Sequence, residues 1–266
     1  MPTFKITLAY DGTNYVGWQR QAAGTSVQGM IEDALRELDG RDVVLHGAGR
    51  TDAGVHALGQ VASCALDRAI EAGVLLRALN ARLPPDIRVV SAAEVASDFH
   101  ARFRATAKTY RYRIYNALVM SPLERHYAWH VSGALDVEAM DAAARVIEGR
   151  HDFAAFRSSA GTTRTTERTV TRSRVTRKTL STLSRGENGR EVPGAGGGDM
   201  IIYEITGDGF LRHMVRAIAG TLVEIGRGRW PVEEMRAVLD SRDRGRAGPT
   251  APGCGLFLVG VEYGDL

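Results

Sequence analysis

Cysteine is scarce in this chain of 266 residues, which contains only Cys64 and Cys254. The two lie far apart and in no CxxC pair, so we expect neither a disulfide framework nor a zinc site. Each is expected to be a small buried hydrophobic residue in a protein of a reducing cytosol.

Membrane, secretion and nucleotide-binding signatures are also missing. No apolar run approaches the roughly 20 residues that span a bilayer, and the N-terminal residues lack the basic head and apolar segment of a signal peptide. Gly-Lys-Ser and Gly-Lys-Thr are absent, which argues against a P-loop. Gly47 and Gly49 begin a dinucleotide-binding fingerprint, but Asp52 stands where its third glycine belongs.

The most informative stretch that is present is GAGRTDAGVHALGQ at 47–60. Four glycines surround Arg50 and Asp52, and glycine at this density allows tight turns and close approaches of the backbone. A carboxylate oriented on such a turn beside a guanidinium suits a nucleophile or a general base. The alternative is an Asx-turn or helix N-cap in which Asp52 only accepts hydrogen bonds from the backbone.

Basic residues are distributed unevenly, although the net charge is only +3 and the isoelectric point about 9.0. Two arginine-rich stretches, 102–113 and 157–178, contain a single acid, Glu167, and tyrosines are interleaved with the first. Arginine binds phosphates bidentately and stacks on bases, so this pattern favours a nucleic-acid partner over a solvated charged surface.

Hydrophobic periodicity predicts the secondary structure. Alternation predicts strands at 3–10, 43–46, 57–66, 87–95, 107–116, 166–177, 200–206 and 255–263. Apolar residues at helical spacing predict helices after caps at Thr25, Asp67 (ending near Asn80) and Asp136 (ending at Gly149), over 211–225, and from Trp230 to about Asp240. The polar, Gly-rich segment 180–199 predicts an inserted loop. This order favours an α+β fold with an antiparallel sheet, helices on one face and a break near Ala105.

Six stretches match one family in order. They are GRTDAGVHALGQ at 49–60, ALNARLPPDIRV at 78–89, FHARFRATAKTYRYRIYN at 99–116, EGRHDFAAF at 148–156, DGFLRHMVRAIAGTLVEIG at 208–226 and TAPGCGLFL at 250–258. Over nearly its whole length the chain resembles the bacterial tRNA pseudouridine synthase A family, also called the TruA family. It departs from the family in a longer insertion before Met200 and in Gly253-Cys254, where many members carry an alanine and a polar residue.

The resemblance implies an isomerase that converts uridine to pseudouridine at positions 38, 39 and 40 of the tRNA anticodon stem-loop. It implies two α/β halves, 1–105 and 106–266, that share one extended antiparallel sheet, with a basic cleft between them. It also implies a cytoplasmic homodimer that uses no metal or organic cofactor.

The family's motifs also imply roles for particular residues. Asp52 matches the catalytic aspartate, Arg50 the arginine beside it, and Arg216 the basic residue that pairs with the aspartate. Tyr110 matches the tyrosine that stacks on the target uracil, and Leu256 the apolar residue that packs against the base. The basic residues expected to contact RNA are Arg102, Arg104, Lys108, Arg164 and Arg168.

Alternatives remain open for the roles of individual residues. Three mechanisms remain open for Asp52: attack on C1′, a route through a glycal, and addition to C6. Tyr110 is alternatively a core tyrosine, and Arg216 a charge on a helix surface. His56 and His213 are interpreted as structural, because the isomerisation requires neither.

Alternatives also remain for the function as a whole. A non-catalytic RNA-binding module and a pseudouridine synthase with a different RNA target both fit the basic composition. A metal-dependent nuclease or a retaining glycosidase needs more than one carboxylate, and the Gly-rich loop offers only Asp52.

Overall fold

The computed structural model describes residues 1–158, 165–180, 183–185, 191–193 and 198–264. The chain divides into two compact units, the first made of Met1–Thr109 with Phe257–Leu266 and the second of Tyr110–Leu256. In the part of the chain that the structure describes, the helices are too short or too polar to cross a bilayer.

Twelve strands and five α-helices can be described in these residues. The strands are β1 (Thr3–Tyr10), β2 (His46–Gly47), β3 (His56–Ala65), β4 (Ile87–Val95), β5 (Ala105–Asn116), β6 (Trp129–Val131), β7 (Gly149–Asp152), β8 (Glu167–Leu180), β9 (Leu183–Arg185), β10 (Glu191–Pro193), β11 (Gly198–Gly207) and β12 (Leu256–Tyr263). The helices are α1 (Val27–Asp39), α2 (Ala72–Arg82), α3 (Val137–Arg145), α4 (Met214–Gly226) and α5 (Glu234–Ser241).

The sheet of the first unit has the order β4-β1-β3-β12. Its central strand β1 runs antiparallel to both β3 and β4, and β12 joins β3 in parallel through Phe257 and His56. Phe4, Ile6 and Leu8 of β1 are fully buried, as their alternation in the sequence predicts. The predicted bounds of β1 and β4 are confirmed, whereas the predicted strand 43–46 is wrong, because only the short β2 pairs with β3.

The caps of the first two helices differ from the prediction. Ser26, and not Thr25, caps α1, and its hydroxyl accepts a hydrogen bond from the Gly29 amide at 3.2 Å. Asp67 does not cap α2, which begins five residues later; its carboxylate accepts a hydrogen bond from Arg41 instead.

The sheet of the second unit has the order β5-β11-β8-β7, and the short β6 lies parallel to β5. Helix α3 packs against β8, where the Asp141 carboxylate accepts a hydrogen bond from the Val175 amide at 2.8 Å. The predicted cap Asp136 is confirmed by a 2.9 Å hydrogen bond from the Ala139 amide. The helix ends at Arg145, however, and Gly149 begins β7.

Helix α4 is the core helix of the second unit, and 12 of its 13 residues are buried. It begins at Met214, three residues later than predicted, after His213 in a left-handed conformation with φ of 65°. The helix predicted from Trp230 begins at Glu234. At Gly220 of α4 a Cβ atom would lie 1.7 Å from the carbonyl oxygen of Pro249, so the closeness of the following segment requires glycine there.

The predicted loop at 180–199 lies partly outside the described residues. Of the part that is described, β9 and β10 pair with each other in antiparallel fashion, and β8 and β11 extend to Leu180 and Gly198. The prediction of an irregular loop is therefore wrong for these strands.

The mixed α/β composition and the mostly antiparallel sheet pairing confirm the predicted α+β class. The functional halves 1–105 and 106–266, the helices on a single face and the basic cleft stay predictions. Of the two cysteines, Cys64 is buried as predicted, whereas Cys254 is only half-buried. Burial raises the pKa of the Cys64 thiol to about 12, which keeps it protonated and unreactive at neutral pH.

Candidate active site

The Gly-rich loop leaves β2 and returns to the sheet at β3. Its middle lies against residues 17 and 18: the Trp18 amide donates to the Thr51 carbonyl at 3.0 Å, and Gly17 and Asp52 form an isolated antiparallel bridge. Gly17 adopts a φ of 111°, and a Cβ there would lie 2.6 Å from the Thr51 carbonyl oxygen. The backbone of Asp52 is therefore held by strand-like pairing and not left in an open turn.

Two buried polar side chains hold the loop on both sides of Arg50. The Tyr10 hydroxyl shares a 2.8 Å hydrogen bond with the Thr51 hydroxyl, and the Gln60 amide donates to the Gly49 carbonyl at 2.9 Å. Gln60 is fully buried, and Tyr10 and Thr51 are nearly so. We call Tyr10, Thr51 and Gln60 the loop clamp, because leaving any one of them unsatisfied in this interior would cost about 1–3 kcal/mol.

Burial sets the electrostatic state of the loop clamp. It raises the pKa of Tyr10 to about 12, against the opposing effect of the hydrogen bonds from Thr51 and Gln60. The phenol is therefore neutral at physiological pH and serves as a hydrogen-bonding group rather than as an acid or base.

Exposure alternates along the loop. Arg50 is exposed, Thr51 is buried, and Asp52 is half-buried. In an extended segment, alternate side chains point to opposite sides, so Thr51 faces the core while Arg50 and Asp52 face outward.

His56 lies deep inside the first unit. It is only 1% exposed, its ring stacks on Phe257 with centroids 4.6 Å apart, and its Nδ1 lies 3.1 Å from the Gly12 amide nitrogen. These contacts fit the interpretation of His56 as a structural residue.

Tyr110 lies on β5 in the second unit, where its side chain is 7% exposed. The ring meets Phe210 edge-on, with centroids 5.0 Å apart and planes at 78°. Phe210 precedes α4 in the DGFLRH motif and is not among the site residues that the sequence predicts. An edge-on neighbour fixes the plane of the Tyr110 ring.

Arg216 lies in the first turn of α4 and holds the segment that leads to Leu256. Its Nε donates to the Ala251 carbonyl at 2.7 Å, and the Ala251 amide donates back to the Arg216 carbonyl at 3.1 Å. The Tyr112 hydroxyl donates to the Pro252 carbonyl at 2.8 Å. These contacts, with the close approach at Gly220, fix the segment that carries the buried Leu256.

Burial and the guanidinium act in opposite directions on two neighbours of Arg216. Burial raises the pKa of the Tyr112 phenol well above its usual value and also raises that of the Cys254 thiol. In both cases the positive charge of Arg216 opposes the increase. Both groups are therefore neutral at pH 7, and the guanidinium is the charged member of this cluster.

Comparison with known proteins gives the family. A family model described as tRNA pseudouridine synthase matches residues 6–104 and 143–264, which is most of the chain. The chain belongs to the tRNA pseudouridine synthase family. Its members are isomerases that act on uridine in tRNA.

Individual relatives match over nearly their full lengths. A protein of Pelobacter propionicus named tRNA pseudouridine synthase A is 46% identical over 99% of this chain and 100% of its own length. A protein of the same name from Moorella thermoacetica is 46% identical over 99% of this chain and 100% of its own length. Another from Myxococcus xanthus is 45% identical over 100% of this chain and 93% of its own length.

The residues that a tRNA pseudouridine synthase is expected to use for RNA contact differ in their surroundings. Arg102 is exposed, with its guanidinium 5.7 Å from the Phe103 ring centroid, while Arg104 is ion-paired with Asp98. Lys108 is half-buried on β5. Arg168 lines a cavity of about 290 Å³ in the second unit and donates to the Thr165 carbonyl at 3.2 Å. Arg164 lies outside the described residues.

The first arginine-rich stretch is less cationic than its sequence suggests. Arg111 forms an ion pair with Glu204 at 2.9 Å, and Arg113 forms one with Glu124 at 2.7 Å. Both acids lie outside this stretch, Glu124 11 residues after Arg113 and Glu204 93 residues after Arg111, so the acid-free stretch does not make an acid-free surface. In the part of the chain that the structure describes, no group of three or more His, Cys, Asp or Glu side chains is placed to hold a metal ion.

Proposed function

We propose that this protein isomerises uridine to pseudouridine at positions 38, 39 and 40 of the tRNA anticodon stem-loop, with Asp52 as the nucleophile. Membership of the tRNA pseudouridine synthase family supports the reaction and the RNA class. The observation on which the assignment of Asp52 depends is the loop clamp, which fixes the backbone on both sides of Arg50 with buried hydrogen bonds. Such fixed placement is what a nucleophile needs.

The reaction breaks the bond from C1′ to N1, turns the uracil, and joins C1′ to C5. The proton on C5 leaves, and one is gained at N1, so the product is an isomer and no oxidant is consumed. In this proposal the carboxylate of Asp52 supplies the electron pair, either to C1′ directly, to C6, or to a ribose proton on the way to a glycal.

The target uridine has to leave its stack before Asp52 can reach it. Extrusion costs a few kcal/mol, and stacking on an aromatic ring returns about 1–3 kcal/mol. We assign the stacking to Tyr110, whose ring plane is set by Phe210, and the apolar contact on the base to Leu256. Both side chains are held in place by the packing of the second unit.

We assign the two arginines different roles. Arg216 is the proposed partner of Asp52, because it is a cation held rigidly by Ala251. Arg50 is exposed, and we assign it to a phosphate of the RNA or to extrusion of the base. Arg102, Arg104, Lys108, Arg164 and Arg168 are proposed to contact further phosphates.

We also propose that the protein is a cytoplasmic homodimer. Light scattering coupled to size exclusion gives the mass in solution, and a monomer of 28.8 kDa at working concentration would contradict the dimer.

Mapping of pseudouridine in unmodified tRNA tests the function. Wild-type protein is incubated with the transcript, and each modified position is read by sequencing after chemical adduct formation. We expect signals at 38–40 with wild type and with Asp42→Asn, a matched control at an exposed carboxylate of the same unit. Asp52→Asn should give none. Signals only at other tRNA positions would contradict the proposed modification of positions 38–40. Full activity of Asp52→Asn would contradict the assignment of Asp52 as the nucleophile.

A further inference from the structure

Three aromatic rings of the first unit lie in a row, the first pair stacked and the second pair tilted. The ring of His46, on β2, lies against His100 with centroids 4.6 Å apart and planes at 28°. His100 lies against Phe103 with centroids 4.3 Å apart and planes at 35°. We call His46, His100 and Phe103 the ring column.

The ring column ends in solvent at Phe103, which is 76% exposed. Single exposed apolar residues are ordinary, but here the exposed ring continues an ordered stack. Burial, His46 and Arg102 lower the pKa of His100, against an opposing backbone hydrogen bond, so its ring is neutral at pH 7 and can stack without bringing charge into the column.

The surroundings of the ring column suit an anionic chain of bases. The Arg102 guanidinium lies 5.7 Å from the Phe103 centroid and is exposed. Guanidinium planes and aromatic faces both stack on nucleobases, and the guanidinium also attracts phosphate. The neighbouring Arg104 is ion-paired with Asp98, so Arg102 is the cation at the exposed end of the column whose charge can serve an RNA phosphate.

The ring column also lies close in sequence to the proposed nucleophile. His46 precedes Arg50 by four residues and Asp52 by six on the same segment. Even fully extended, six residues span at most about 22 Å. A stem-loop that places one nucleotide at Asp52 is therefore large enough to reach the column with another.

We propose that the ring column stacks an unpaired nucleobase of the RNA substrate, distinct from the uridine that is isomerised. This rests on the proposed function, since it takes tRNA as the ligand. Stacking tolerates any base because every base has a π-face. Such a contact suits an enzyme that modifies adjacent positions in varied sequence contexts, because it adds affinity without reading sequence.

Three substitutions at Phe103 test the ring column. The dissociation constant for unmodified tRNA is measured by filter binding for Phe103→Ala, Phe103→Leu and Phe103→Trp. We expect Ala and Leu to weaken binding by about 5- to 150-fold, the equivalent of one lost stack, and Trp to match or exceed wild type. Val90→Ala is the control, since Val90 is 52% exposed on β4 and outside the column. Melting temperatures should stay unchanged.

Turnover separates this binding role from chemistry. C5 tritium release should show a raised KM and an unchanged kcat for Phe103→Ala. Affinity within twofold of wild type for Phe103→Ala would overturn the proposal, and so would full rescue by Phe103→Leu, which would indicate apolar contact without stacking. A change in oligomeric state would overturn it too, because a second copy of the chain would then cover the column. If wild type binds tRNA but releases no tritium, the proposed function is wrong. The tRNA affinities of the Phe103 variants would still show whether the ring column stacks a nucleobase.

Discussion

At the scale of single residues, the position of the Gly-rich loop depends on buried side chains of the neighbouring strands. Tyr10 and Gln60 lie on strands that flank the Gly-rich loop, and each holds a residue next to Arg50. We regard the loop clamp as a set of positioning residues, because a displacement of about 1 Å at a reacting group can cost on the order of 10²-fold in rate.

Tyr10→Phe removes one hydroxyl of the loop clamp and leaves the Thr51 hydroxyl buried. We expect kcat for tritium release to fall by about 10- to 100-fold while the affinity for tRNA stays unchanged. Thr51→Val should lower kcat in the same way, and the double variant should be no worse than Tyr10→Phe, because Tyr10→Phe already removes the hydrogen bond to Thr51.

Tyr203→Phe is the matched control for the loss of a buried phenol. Its hydroxyl lies 3.2 Å from that of Ser173 in the second unit. This variant should lose stability on the order of 1 kcal/mol and keep kcat. Equal losses of kcat in Tyr10→Phe and Tyr203→Phe would mean that the clamp supports only the fold.

The buried phenol of Tyr10 also predicts how stability depends on pH. Its pKa is about 12 in the folded chain against 10.0 for an ordinary tyrosine. Between pH 10 and 12 the phenol ionises in the unfolded chain but stays neutral in the folded chain. The free energy of unfolding is therefore unaffected by this group below pH 10 and falls as the pH rises from 10 to 12. Urea unfolding at pH 8 to 11.5 should show this decline, and Tyr10→Phe should weaken its slope. A wild-type stability that is constant over that range would contradict the burial of the phenol.

At the scale of elements, α4 and the segment 248–256 act as one piece. Gly248 donates to the Thr221 hydroxyl at 2.9 Å, and Arg216 exchanges hydrogen bonds with Ala251. The position of Leu256 therefore follows from the docking of this segment on the helix.

Gly220→Ala would place a methyl group against the Pro249 carbonyl and push the segment away. We expect a loss of about 1–3 kcal/mol in the free energy of unfolding, with a rise in KM because Leu256 moves. Gly73→Ala on α2 is the control, since the nearest atom there is 3.7 Å away in a flexible arginine side chain. It should be neutral or stabilising by up to about 1 kcal/mol. Chemical denaturation of both variants makes the comparison, and equal stabilities would contradict the close docking.

The elements show what sequence can and cannot predict. The bounds of β1 are predicted to the residue by its alternation, which places Phe4, Ile6 and Leu8 on one buried face. The bounds of β4 are also predicted to the residue, although only Ile87 and Val89 of this strand are buried. Caps are predicted less well: Asp136 caps α3 as predicted, whereas Asp67 lies five residues before α2 and accepts a hydrogen bond from Arg41. A residue with a suitable capping side chain therefore does not by itself fix where a helix begins.

The same limit applies to the candidate site. The motif at 49–60 singles out Asp52 from residues that are neighbours in sequence. Tyr10 is 41 residues from its partner Thr51, and no local pattern marks that pair. Likewise the acids that neutralise Arg111 and Arg113 are absent from their own stretch of sequence. Contacts between distant segments are a product of the fold, so only the structure shows them.

At the scale of the whole molecule, the charge that matters for RNA is the part left after internal ion pairing. Arg102→Gln should reduce the slope of log affinity against log salt by roughly one phosphate contact, because its guanidinium is exposed. Arg111→Gln should leave that slope unchanged, since its guanidinium pairs with Glu204. Filter binding to tRNA between 50 and 200 mM salt makes the comparison, and equal changes in slope would show that ion pairing does not decide which arginines bind RNA.

The most direct measurement is single-turnover release of tritium from tRNA labelled at uridine C5, with tRNA affinity measured on the same preparations. Wild type should release tritium, whereas Asp52→Asn should lose on the order of 10³-fold or more in rate and bind tRNA as tightly as wild type. Tritium release by Asp52→Asn at the wild-type rate would show that another group performs the chemistry.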